Sequence, residues 1–81
     1  MPKRIPKPHD VYKRNVLANI NYHCTIRGID KEHQRLIVQC SMPTLNRRLK
    51  DPGEFTLNEL IRLADKFKIP VWELLKPIDA E

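Results

Sequence analysis

The sequence predicts an all-α fold: five short helices in one small domain, behind an extended basic arm. Three observations lead there. Apolar residues recur at three- and four-residue spacings in several separate segments. Each segment is opened by a capping residue or closed by proline or glycine. And 81 residues leave room for a single domain. A chain that size buries only about 60–65% of its unfolded surface. So small a core excludes a barrel, a doubly wound sheet or a large catalytic cleft. Two glycines exclude a glycine-rich loop that cradles phosphate.

The arm is residues 1–9, Met-Pro-Lys-Arg-Ile-Pro-Lys-Pro-His. Its prolines forbid a helix and favour an extended path. From about Asp10 the pattern turns helical, with Tyr12, Val16, Ile20 and Cys24 every four residues and Leu17 beside them. Gly28 stops this helix. Asp30 can cap a second helix, in which His33, Leu36, Ile37 and Cys40 share a face. Leu36-Ile37-Val38 also reads as a short strand, and periodicity alone does not separate the two.

Ser41 is a good N-cap for a third helix reaching Lys50, with Pro43 in its first turn. Successive residues turn by about 100°. From Leu45 at zero, Leu49 and Met42 then lie at about 40° and 60°, on the inward edge. Asn46, Lys50, Pro43 and Arg47 span about 100–200°, a polar outward face, while Arg48 flanks the core. Asp51-Pro52-Gly53 is a turn. Thr56-Leu57-Asn58-Glu59 reads as a capping box, with Phe55 and Leu60 as its hydrophobic staple. Leu57, Leu60, Ile61, Ala64 and Phe67 form the apolar stripe of the fourth helix. Pro70 opens a short fifth helix, Val71 to Leu75, and Pro77 ends it. The predicted core is Leu45, Leu49, Phe55, Leu60, Phe67 and Trp72. The organisation is an arm (1–9), a helical domain (10–77) and a short acidic tail (78–81).

The charge is unevenly spread. Fifteen basic against ten acidic residues give a net +5. Residues 1–14 carry five basic groups against Asp10, and residues 31–50 carry five against Glu32, so each segment is +4. Residues 51–81 carry four basic against seven acidic groups, or −3. A basic arm and a basic middle are the footprint of a polyanionic partner. The second and third helices, tightly joined around Gln39–Ser41, make a helix-turn-helix. A helix about 10–12 Å wide fits the major groove of DNA. No nucleophile–base pair, carboxylate pair or metal set is recognisable, so no enzyme, cofactor or small-molecule ligand is expected. Zinc ligation by His23, Cys24, His33 and Cys40 lacks the usual paired spacing. No stretch is long enough to span a membrane and no leader is visible. Cys24 and Cys40 then read as free thiols in a reducing cytoplasm, with the protein at the bacterial nucleoid if DNA-bound.

From Cys40 to Leu57, Cys-Ser-Met-Pro-Thr-Leu-Asn-Arg-Arg-Leu-Lys-Asp-Pro-Gly-Glu-Phe-Thr-Leu, the chain resembles the phage-repressor (Cro and lambda-repressor, XRE-type) helix-turn-helix family. Leu60 to Leu75 is similar to that family's last two helices. The resemblance spans roughly residues 12–76 and implies a small transcriptional regulator of a phage or mobile element. Its register puts Gln34-Arg35, Val38 and Gln39 where the family has Leu-Ala, Leu and glycine, whereas the apolar stripe selects Leu36, Ile37 and Cys40. It implies base contacts by Asn46 and Arg47, with Met42 and Thr44 approaching the backbone or thymine methyls. Ser41, Lys31, Arg48 and Lys50 would touch phosphates, and Lys3 and Arg4 of the arm lie within reach of them too. The partner would be double-stranded DNA, with a weak or DNA-assisted homodimer allowed. The alternative is a protein-binding module on the same fold, such as an antirepressor or antitoxin subunit.

Overall fold

The computed structural model describes residues 8–78; the expectations for the rest of the arm, including Lys3 and Arg4, and for residues 79–81 of the tail lie outside them. The described residues form helices joined by short turns, and no strand occurs among them. Four α-helices run in order: α1 (Pro8–Arg27), α2 (Lys31–Val38), α3 (Met42–Lys50) and α4 (Leu57–Phe67). Two 3-10 segments accompany them, Pro52–Glu54 after α3 and Val71–Leu75 after α4. The expected fifth α-helix is therefore a 3-10 turn. Five residues between Pro70 and Lys76, both extended, are too few for stable i→i−4 pairing. The strand alternative at 36–38 falls away, since these residues are the last turn of α2.

Local chemistry sets the boundaries. α1 starts at Pro8, two residues ahead of the expected Asp10. Proline is tolerated there because first-turn N–H groups have no helical acceptor. α1 stops at Gly28, whose φ of 65° is open to glycine at little cost. Asp30 Oδ1 accepts from the His33 N–H at 2.9 Å and opens α2. At the start of α4, Thr56 Oγ1 accepts from the Glu59 N–H at 3.2 Å while Glu59 Oε1 accepts from the Thr56 N–H at 2.9 Å. This is the reciprocal box the sequence predicts.

The core gathers Val16, Ile20 and Cys24 of α1, Val38 of α2, Leu45 of α3, Phe55 just before α4, Leu63, Ala64 and Phe67 of α4, and Leu74. Three sequence expectations are corrected. In α2, His33 and Leu36 are exposed, and the buried residues are Gln34 and Val38. Ile37 and Cys40 pack at the core margin. In α4, Leu63 is buried while Leu57 and Ile61 face outward. Trp72 is 60% exposed rather than core, and Tyr12 of the α1 stripe is also exposed. Leu49 and Leu60 are partly buried against the core.

Polar contacts fasten the C-terminal segment to α1. Buried Asn19 donates through Nδ2 to the carbonyls of Asn15 (2.8 Å), Leu74 (3.2 Å) and Lys76 (2.8 Å). Arg27 Nη2 donates to the Phe67 carbonyl at 2.8 Å, satisfying the C-terminal end of α4. At the other end, Lys13 Nζ lies 3.2 Å from Asp51 Oδ1 and ties α1 to the turn after α3. That ammonium, followed by the Gly53 N–H, holds the Asp51 carboxyl below its ordinary range.

Candidate nucleic-acid interface

α2 and α3 are joined by three residues. Gln39 closes α2 at φ 62° and ψ 52°, the left-handed conformation, with its N–H donating to the Arg35 carbonyl. The Cys40 N–H donates to the same carbonyl at 3.1 Å. Ser41 then opens α3. Its Oγ accepts from the Thr44 N–H at 3.4 Å, and its hydroxyl lies 2.9 Å from Thr44 Oγ1. The sharp reversal brings the first residue of α2 over the middle of α3: Lys31 Nζ donates to Asn46 Oδ1 at 3.0 Å.

The predicted site residues divide into two groups. Lys31, Asn46, Arg47 and Lys50 are exposed. Among the described residues no carboxylate pairs with Lys31, Arg47 or Lys50, and α3 itself contains no acidic residue. Ser41 is exposed but its hydroxyl is engaged in the cap. Met42 packs partly against the core and Thr44 is half-buried beneath Ser41.

Arg48 differs from the phosphate contact the resemblance implies. Its side chain is only 15% exposed, with Nε 2.9 Å from Glu59 Oε1 and 3.2 Å from the Glu54 carbonyl. Its Nη1 is buried with no hydrogen-bond partner among the described residues. Glu59 Oε1 therefore serves both the capping box of α4 and the anchor of α3. The sequence shows Glu59 as a capping residue, but nothing local marks its second contact, eleven residues back in the chain. The Lys31–Asn46 contact was also missed, and no local pattern announces it.

Elsewhere, a surface hollow of about 740 Å³ lies between α1 and the C-terminal segment, lined by Tyr22, His23, Glu73 and Lys76 among others. Among the described residues no group of three or more His, Cys, Asp or Glu side chains is placed to hold a metal ion. Cys24 and Cys40 are free thiols, and burial pushes the Cys24 thiol up to about 11. No described helix is long and apolar enough to cross a membrane. Compared with protein-family models, curated proteins and solved structures, the chain finds no match.

Proposed function

We propose that the chain binds double-stranded DNA in a sequence-specific manner. In this reading α2 and α3 act as a helix-turn-helix, with α3 in the major groove, and the protein is a small repressor-like regulator of the kind phages and mobile elements carry. The observation that carries the reading is the outward face of α3. Asn46, Arg47 and Lys50 stand exposed beside Lys31, and no described carboxylate neutralises the three cations. Cations left unpaired on a surface are free to meet phosphates and release counterions. Arginine offers the bidentate donor fork that matches guanine N7 and O6. Lys50 supplies positioning charge, joined by Lys3 and Arg4 of the arm. Two copies would meet half-sites about 34 Å apart, as a weak or DNA-assisted homodimer.

The test is a titration of random and selected duplexes at several salt concentrations. A phosphate-dominated binder loses affinity with a log–log slope near −0.9 for each contacted phosphate. Arg47→Ala should then cost about 1–3 kcal/mol on the selected site and flatten preference at one base pair. If it weakens all duplexes equally, Arg47 is a phosphate clamp. The second reading, a protein-binding module, is favoured by the exposure of Leu57 (65%) and Trp72 (60%). Absence of any duplex binding would decide for it.

A further inference from the structure

We propose that Lys31 is a specificity-determining residue: by holding the side-chain oxygen of Asn46, it makes this asparagine a reader of guanine rather than adenine. The inference rests on the DNA-binding reading above and adds the base that this part of the surface selects.

The argument starts from donor and acceptor counts. An ammonium has three N–H donors and no acceptor, so the amide atom facing Lys31 must be the oxygen. Lys31 Nζ lies 3.0 Å from Asn46 Oδ1, a contact between the first residue of α2 and the middle of α3. An asparagine reads adenine with both amide atoms: Oδ1 accepts from the N6 amino group and Nδ2 donates to N7. Here Oδ1 is already engaged. What remains for a base is the Nδ2 amino group and the free N–H donors of Lys31.

A donor-only pair fits an edge with two acceptors. Guanine presents N7 and O6 in the major groove and no donor there; adenine presents one acceptor and one amino group. Asn46 Oδ1 keeps a second lone pair, but an adenine amino group using it would bring its hydrogens beside a positive charge. That charge is not neutralised locally. The nearest acidic residues in sequence are otherwise engaged, Asp30 with His33 and Glu32 with Arg35. The geometry thus changes the reading of Asn46 alone, which by residue type favours adenine.

Selection from a randomised duplex pool tests this, using the full chain and Lys31→Met, which keeps the aliphatic stem and removes the donor. Asn46→Ala identifies the base position that Asn46 reads. At that position the wild-type chain should enrich guanine, and Lys31→Met should shift the guanine-to-adenine ratio toward adenine by at least about fivefold. In the free protein, Lys31→Met should also move the Asn46 side-chain amide resonances. Three results overturn the inference while leaving DNA binding intact. They are adenine preference in the wild type, a uniform loss of affinity without a change of base, or unmoved Asn46 resonances. If no sequence is enriched by either chain, the DNA-binding reading fails and this inference fails with it.

Discussion

Arg47 and Arg48 are neighbours in sequence with the same side chain, yet they belong to different regions of the molecule. A rotation of about 100° separates them on α3. Arg47 stands exposed on the outward face without a described carboxylate partner. Arg48 is 15% exposed, and its guanidinium is spent on Glu59 and on the Glu54 carbonyl. The +4 of residues 31–50 therefore overstates the charge α3 can offer to a polyanion. Helical phase decides whether a cation of α3 stays at the surface or is used by the fold. The inward face of α3 is held by Leu45 and by a shielded ion pair; the outward face carries groups whose contacts inside the chain are few.

The sharpest break of this comparison comes from truncating each face. Leu45 is 1% exposed, so Leu45→Ala should cost about 2–5 kcal/mol of stability through lost transfer energy and a residual cavity. Arg47→Ala should stay within about 0.5 kcal/mol of wild type, as surface substitutions do. Thermal or denaturant melts of the two variants check this. Similar losses for both would mean that the outward face is packed against something.

Next in size is the ion pair. Removing Glu59 leaves the Arg48 charge shielded from water and unpaired. Glu59→Leu should cost about 2–3 kcal/mol, below the figure for a fully buried pair because Arg48 and Glu59 keep 15% and 10% of their side-chain exposure. Glu59→Gln keeps an acceptor for the capping box and should cost less. The double variant Arg48→Met with Glu59→Leu should recover part of the loss, since no charge is then stranded. A Glu59→Leu chain as stable as wild type would show that Arg48 can swing outward. The phosphate contact implied by the resemblance would then be open to it.

The boundaries at Gly28, Asp30, Ser41 and Thr56 were legible because their causes are local, whereas α1 begins at Pro8, inside the segment expected to be extended. Asp30, Ser41 and Thr56 each cap within three residues of themselves, and Gly28 stops α1 by its own conformational freedom. The buried faces were less legible. Apolar residues of α4 cover an arc of about 160°, from Leu63 round to Ile61. Such an arc does not say which edge faces α2 and the C-terminal segment, so the sequence pattern puts Leu57 and Ile61 inward and omits Leu63, the reverse of their observed exposure. In α2, Gln34 and Val38 are buried while Leu36 is exposed, which agrees with the register implied by the resemblance and not with the apolar stripe. The outward polar set Asn46, Arg47 and Lys50 followed from helical phase alone. The pairs Lys31–Asn46 and Arg48–Glu59 did not, because each needs two helices in place.

A smaller effect, and of opposite sign, is expected in the turn between the two helices. Gln39 sits at φ 62°, where a Cβ is strained. Gln39→Gly should raise stability by about 0.5–1 kcal/mol by removing that strain, less the added freedom of glycine in the unfolded chain. Destabilisation instead would show that the Gln39 side chain contributes contacts that outweigh its backbone strain.

The smallest effect extends the inward–outward distinction to pH. His23 of α1 is half-buried, its ring stacked on Phe67 with centroids 4.9 Å apart and planes at 20°. Burial, followed by the nearby Arg27 charge, lowers its pKa, with Glu73 opposing. Arg27 Nη1 lies 3.0 Å from Nδ1, so this nitrogen accepts, and a second ring proton would cost that hydrogen bond. The unfolded chain, with a histidine pKa of about 6.5, binds the proton more readily than the folded one. Stability is therefore full above that value. It falls as pH drops through it, and levels off below the folded pKa. The lowered carboxyls of Asp30, Glu32 and Asp51 act in a separate window, their contributions being lost only below about pH 4. Cys24, at about 11, stays neutral throughout. Melting temperatures between pH 8 and 5 should thus show a shallow decline in the wild type that His23→Gln removes. Parallel curves for the two chains would mean that His23 titrates as freely as an outward-facing side chain, and the stacking on Phe67 would lose its energetic meaning.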